Sequence, residues 1–385
     1  MFDSMSNYNP NQVAIVLTGG GARSAYHLGV LKYIFDTMSP SMEPPVFIGS
    51  SAGAINATYL AQHAHDGFKK AIYDLCDIWC SLTINRIYKT DALAISRVIW
   101  HFLRNITIGR FTEQRVIESL LDSKPLYSLL LAMVDVKSLH HNIDTGLVRG
   151  LGITATQYGT GRSLTFFQTS PGHKITEWNF PRRQGVETKI HLKHIMASAA
   201  IPFLFPSVKI GENYYGDGSI RFTAPFSPAI HLGASKILAV GMRKTSPTEI
   251  QPAKNYPSIA QIGGTLLNAI FLDTLDYDAH TLRRVNSLLK NSKDPAGDLK
   301  PVDLALVQPS HDLGLVALKY SRFVPRTLKF LMNSVGSAQR GGADLLSYLL
   351  FDHHYIEELI HLGYEDAKLY KQELLSIFPS QAPTA

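Results

Sequence analysis

Ser51 lies in Gly49-Ser50-Ser51-Ala52-Gly53, with a glycine two positions away on each side. This is the G-x-S-x-G nucleophile elbow, a sharp strand-to-helix turn that presents a serine hydroxyl to a carbonyl carbon. Its place at a helix N-terminus, where backbone N–H groups and the helix dipole converge, favours developing negative charge. Upstream, Gly19-Gly20-Gly21-Ala22-Arg23 offers consecutive backbone N–H groups with almost no side chains in the way. Such a loop can hold the oxyanion of an acyl-transfer intermediate. A third residue, Asp217, follows Tyr214-Tyr215-Gly216 and precedes Gly218, so its carboxylate can project from a tight turn. By itself Asp-Gly is a common turn dipeptide.

The glycine loop has two competing readings. As a G-x-G-x-x-G dinucleotide fingerprint it fails at the third glycine, where Ser24 stands, and as a P-loop it lacks the Gly-Lys-Ser/Thr ending. A nucleotide-binding module therefore remains the weaker alternative, and only the oxyanion reading gives Ser51 a purpose.

These residues need elements to position them. Gln12 to Thr18 is apolar enough for a strand buried on both faces, running straight into the glycine loop. Tyr26, Val30, Leu31, Ile34 and Phe35 give the next segment a helical stripe. Pro45 to Ile48 forms a second strand, ending at the elbow, and a helix follows from Ala52 to about Ala64. Both loops thus fall at the carboxyl ends of parallel strands, where ligand sites of open α/β sheets lie. Residues 66–145 read as mainly helical, with Leu93, Ile95, Val98, Ile99, Phe102, Leu103 and Ile106 on a stripe that packs in the core or caps the site. Two hairpins come next, residues 151–156 with 163–168, and Val208-Lys209-Ile210 with Tyr214-Tyr215-Gly216. The segment from His191 to Ala200 between them reads as a short helix. Lys236 to Val240 and Val302 to Val307 are further strands, flanking a helical pattern over 258–291. Lys319 to Leu331 mixes Arg322, Arg326 and Lys329 with Phe323 and Phe330, the pattern of a packed helix or of one lying on an anionic membrane.

The chain has 385 residues, 45% hydrophobic and 18% charged, with a net charge of +6. That is a globular composition with ample core. Basic residues are scattered and no zinc-finger or ribonucleoprotein motif is present, which argues against a nucleic-acid partner. Cys76 and Cys80 share one face of a helix, pointing to buried thiols, a reducing compartment and no metal site. Met1 to Asn11 lacks a signal pattern, and the apolar run from Leu126 to Val134 is too short to span a bilayer. The expectation is a cytoplasmic protein whose membrane contact, if any, is peripheral.

Taken in order, the glycine loop, the elbow and Asp217-Gly218 closely resemble the motifs of the patatin-like phospholipase family. Ala197-Ser198-Ala199-Ala200-Ile201-Pro202-Phe203-Leu204-Phe205-Pro206 is similar to the family's stretch ahead of its aspartate. Leu346 to Asp352 and Ile356 to Tyr364 look like the tail of bacterial members. The chain departs from the pattern at Ser24, usually glycine, and at Ser219, usually glycine or alanine.

The resemblance implies a three-layer α/β/α fold with a mainly parallel central sheet and a helical C-terminal region. It implies a catalytic domain over residues 12–240 and a mainly helical extension over 241–378 packed on the same core. It also implies lipid acyl hydrolysis without cofactor or metal, acting on phospholipids or other glycerolipids. Ser51 would be the nucleophile and Asp217 its base. Gly19, Gly20, Gly21 and Ala22 would form the oxyanion hole, supported by Arg23, Gly49, Gly53 and Gly218. A lone aspartate is a weak base at its ordinary pKa, so Asp217 should occupy a dry pocket. Sequence order leaves a Ser-His-Asp triad open, because His231, His280, His311, His353, His354 and His361 all follow Asp217. Transfer of the acyl group to another lipid and a silent scaffold are further alternatives.

Overall fold

The computed structural model describes residues 9–38, 42–89, 121–202, 204–221, 224–244, 273–291, 299–325 and 340–379. The stripe from Leu93 to Ile106, Phe203, the 258–272 part of the expected helix and residues 326–331 lie outside them.

Val13–Leu17 (β1) is buried at every position, as its unbroken apolar run demands of a central strand. It pairs in parallel with Val46–Ser50 (β2) on one side and Lys236–Val240 (β9) on the other, and β9 pairs in parallel with Asp303–Val307 (β10). Beyond β2 comes Gly150–Gln157 (β3), also parallel. The hairpin partner Arg162–Thr169 (β4) is antiparallel to β3, and Arg183–Glu187 (β6) and Trp178–Asn179 (β5) complete that edge. Val208–Ile210 (β7) and Asn213–Asp217 (β8) form the second hairpin, and β8 joins β3. The described strands make one ten-stranded sheet.

Alternation along β1 divides the core. Ile15 and Leu17 face one apolar cluster, which holds Tyr26–Thr37 (α1), Ala52–Gln62 (α2), Phe68–Cys80 (α3) and His353–Leu369 (α12). Ala14 and Val16 face a smaller one with Ser227–His231 (α8) and Asp273–Asn291 (α9). Helices thus cover both faces of a mainly parallel sheet in an α/β/α arrangement. Near the C-terminus, α12 lies against α1 so closely that a Cβ on Gly29 would come within 1.9 Å of the Ile360 carbonyl oxygen. The Tyr26 hydroxyl donates to Asp366 at 3.0 Å across the same contact.

Two expectations are revised. Lys319 to Pro325 does not continue a helix. Leu313–Lys319 (α10) ends there and Ser321–Phe323 is a single 3-10 turn, with Phe323 stacked on His354. Cys76 is buried but Cys80 is only half-buried, because it ends α3. Among the described residues no helix is long and apolar enough to cross a membrane.

Candidate active site

The site forms where two strands meet end to end on one edge of β3. Along that edge β2 pairs in parallel up to Ser50 opposite Thr154. From the next residue, Ala155, the edge is taken over by β8, which arrives from the opposite direction and ends with Asp217 opposite Ala155. Ser51, the first residue past the end of β2, and Asp217, the last residue of β8, are therefore neighbours.

Ser51 has φ 53° and ψ −131°, the one positive φ outside glycine among the described residues. Such a conformation costs about 1–3 kcal/mol and must be imposed by the surroundings. Close packing confines the turn on both sides of Ser51. A Cβ on Gly49 would meet Ala54 Cα at 2.5 Å, and one on Gly53 would meet the Leu17 carbonyl oxygen at 2.1 Å. The α2 ladder starts with Ala54 N–H donating to the Ser51 carbonyl at 2.9 Å, so the N–H groups of Ala52 and Gly53 are outside it. The Ser51 N–H itself donates to Ser198 Oγ at 2.9 Å.

Asp217 is fully buried, and burial pushes its carboxyl up to about 6. The Ser51 hydroxyl and the Ser219 N–H and hydroxyl pull the other way, since they favour the carboxylate. Oδ1 accepts from the Ser219 N–H at 2.8 Å, while Oδ2 has no well-aligned partner among the described residues. Loose alignment of a base with its proton donor is common in an unliganded site. Gly218 is required by crowding, because a Cβ there would lie 2.0 Å from the Thr154 carbonyl oxygen.

Gly19, Gly20, Gly21 and Ala22 are all buried between β1 and α1. Gly21 begins a 3-10 turn at φ +54°, and a Cβ on it would strike the Tyr348 carbonyl oxygen at 2.3 Å. The first bond of that turn runs from the Arg23 N–H to the Gly20 carbonyl at 3.1 Å, so the Gly21 and Ala22 N–H groups are not used by the turn. Beneath the loop, Asn56 Nδ2 donates to the Ser24 carbonyl and to His27 Nδ1, both at 3.2 Å, and Trp79 donates to Asn56 Oδ1 at 2.9 Å. Burial depresses His27 to about 3, so that ring is neutral.

Arg23 does not face the cavity as a free cation. It is buried, with Nε donating to Ser347 Oγ at 2.6 Å and Nη2 to Asp344 Oδ1 at 3.0 Å, and its guanidinium lies 4.3 Å from the Tyr348 ring centre. All three partners belong to Arg340–Leu349 (α11).

Ser51 and Gly21 border a cavity that opens to solvent. Its walls are otherwise almost wholly apolar: Ile55 of α2, Trp79 of α3, Leu126, Leu129, Leu130 and Met133 of Lys124–Met133 (α5), then Ile201, Leu349 and Phe351. Sequence reasoning did not find these walls. The spacing of Leu126, Leu129, Leu130 and Met133 marks one helix face, but nothing in it says that the face looks on Ser51. The resemblance takes in Ser198 and Leu346 to Leu349, but the contacts that these residues make were equally out of reach.

The six candidate histidines lie elsewhere. His231 stacks on Trp178, His353 bonds to the Cys80 carbonyl, His354 stacks on Phe323 and His311 bonds to Ser310. Neither His280 nor His361 lines the cavity. No group of three metal-ligating side chains occurs among the described residues. A serine under backbone strain, a buried carboxylate beside it, unclaimed N–H groups and an apolar cavity can together carry out acyl transfer from an ester with a hydrocarbon tail.

A model of the family described as patatin-like phospholipase matches residues 15–230. No curated protein matches the chain. Among solved structures, VipD from Legionella pneumophila is similar over 96% of this chain and 68% of its own, at 12% identity and a TM-score of 0.36.

Proposed function

The chain belongs to the patatin-like phospholipase family, and from that membership we propose that it is a lipid acyl hydrolase working through a Ser51–Asp217 dyad. The observation that carries the reading is the meeting of Ser51 and Asp217 on one edge of β3, with Ser51 opening on an apolar cavity.

Asp217 takes the proton of the Ser51 hydroxyl as Oγ attacks the ester carbonyl. Negative charge on the former carbonyl oxygen is met by N–H groups of the Gly19–Ala22 loop. When the carbon–oxygen bond breaks, Asp217 returns the proton to the departing alcohol and the acyl group stays on Ser51. Water, activated by the same carboxylate, then releases the fatty acid. Burial supports this role, because a carboxyl pushed up to about 6 is a better base than a solvated one. The positions of the six histidines favour the dyad over a triad.

The acyl chain would occupy the cavity, and the head group would remain at a lipid surface that the protein touches peripherally. Residues 12–240 would be the catalytic domain, completed by 241–378, which supplies Tyr348, Leu349 and Phe351 to the wall. The test is labelling by a serine-reactive fluorophosphonate together with hydrolysis of a fatty acyl ester. Both should be present in the native protein and lost in Ser51→Ala. A folded native protein that does neither would overturn the proposal.

A further inference from the structure

Ser198 closes Leu192–Ser198 (α7) and is fully buried. Its hydroxyl is engaged twice. It accepts from the Ser51 backbone N–H at 2.9 Å and donates to the Thr154 carbonyl at 2.6 Å. Two residues on, the Ala200 carbonyl accepts from the Asp217 N–H at 2.8 Å. One short segment thus grips the backbone of both Ser51 and Asp217 and is itself fastened to β3, the strand on whose edge they meet.

We propose that Ser198 is a positioning residue for acyl transfer, which holds Ser51 in its left-handed conformation and in register with Asp217. The inference deepens the dyad reading and rests on it.

A serine does not hold φ 53° by its own preference. The α2 ladder restrains only the carbonyl side of Ser51, through Ala54. On the N–H side, β2 has already left β3 after Ser50, so no strand bond is available there. The Ser198 hydroxyl fills that gap by relaying the bond from Ser51 to Thr154. A hydroxyl suits the place because it donates and accepts at once. Without it, a buried N–H and a buried carbonyl both lose a partner, and rotation of the peptide ahead of Ser51 becomes the easiest relief. That rotation moves Ser51 Oγ relative to Asp217. Because the Ser51 N–H is already committed, the oxyanion falls to other donors, those of the glycine loop first.

The experiment measures the saturation kinetics of fluorophosphonate labelling in the native protein, Ser198→Ala, Ser198→Cys and Thr165→Val, with Ser51→Ala as the blank. In Ser198→Ala the maximal labelling rate should fall roughly 100-fold, the scale of a small misplacement of reacting groups, with the half-saturating probe concentration unchanged. Ser198→Cys, with its weaker donor and acceptor, should lie between the two. Thr165→Val removes another buried hydroxyl contact, 3.2 Å from Thr154 Oγ1, without touching Ser51, and should label at the native rate. Native-rate labelling by folded Ser198→Ala, or an equal loss in Thr165→Val, would overturn the role. If Ser198→Ala does not fold, native-rate labelling by Ser198→Cys does the same. Failure of the dyad reading looks different, since the native protein would then label no better than Ser51→Ala.

Discussion

Arg23, which is buried, and Asp344, which is partly exposed, form an ion pair across 321 positions of sequence, joining the glycine loop to α11. The pair lies partly beyond the residues that match the family model, which end at 230. The C-terminal region therefore fixes the shape of the loop as well as walling the cavity.

Removing one partner of such a pair leaves a desolvated charge behind, at a cost of about 3–5 kcal/mol. Asp344→Asn should fall at the low end, since the Asp344 side chain is 24% exposed and Ser347 and Tyr348 still touch Arg23. Urea denaturation should show the loss, and Arg23→Met combined with Asp344→Asn should recover part of it. If the double variant is no more stable than Asp344→Asn, the pair does not hold the loop as described.

On the proposed dyad, Asp217 sets the pH dependence of acylation. It acts as a base only when deprotonated, and its carboxyl is pushed up to about 6 by burial. The labelling rate of Ser51 should therefore fall as pH drops through about 6, on a single ionisation. A rate that stays level down to pH 4.5 would separate Asp217 from the proton transfer.

The same shift makes Asp217 a burden on stability above that pH. Its folded value lies above the ordinary 3.8, so the native state holds the proton more tightly than the unfolded chain. Stability is then fullest below 3.8 and is lost as pH rises through about 6. A rise from 3.8 to about 6 corresponds to about 3 kcal/mol. Asp217→Asn should accordingly melt higher than the native protein at pH 8 while failing to acylate, and the gap should close towards pH 4. A variant less stable at pH 8 would contradict a carboxylate strained by burial.

What could be read in advance follows from the range of each interaction. Gly49, Ser51 and Gly53 announce their turn within five residues, because strand, turn and helix are local. The parallel strands of the sheet were legible for the same reason, since β1 is a continuous apolar run and β2 and β9 each carry one of three or four residues. Relations set by tertiary contact were not. That β2 and β8 abut on one edge of β3 depends on where each strand stops, and Ser198 looks like any small helix residue until its two partners are seen. The Arg23 pairing with Asp344, 321 positions away, leaves no mark on the motif around Arg23. The stretch from Lys319 to Pro325 misled because mixed cations and aromatics suit a helix, whereas the chain turns once it passes α10.

The cavity should impose a chain-length rule on ester substrates. Each methylene that enters contributes about 0.8 kcal/mol, so kcat/KM for a series of water-soluble acyl esters should rise by up to about fourfold per carbon. The rise should stop once the cavity beside Ser51 is filled. Leu130 is fully buried on the wall formed by α5. Leu130→Trp shortens the space available to the chain, so the plateau should move to shorter esters, while short-chain esters keep their native rate. Leu130→Ala should do the reverse and admit longer chains, at a stability cost of about 2–5 kcal/mol. Parallel loss across all chain lengths in Leu130→Trp would mean that the acyl group does not enter the cavity past α5.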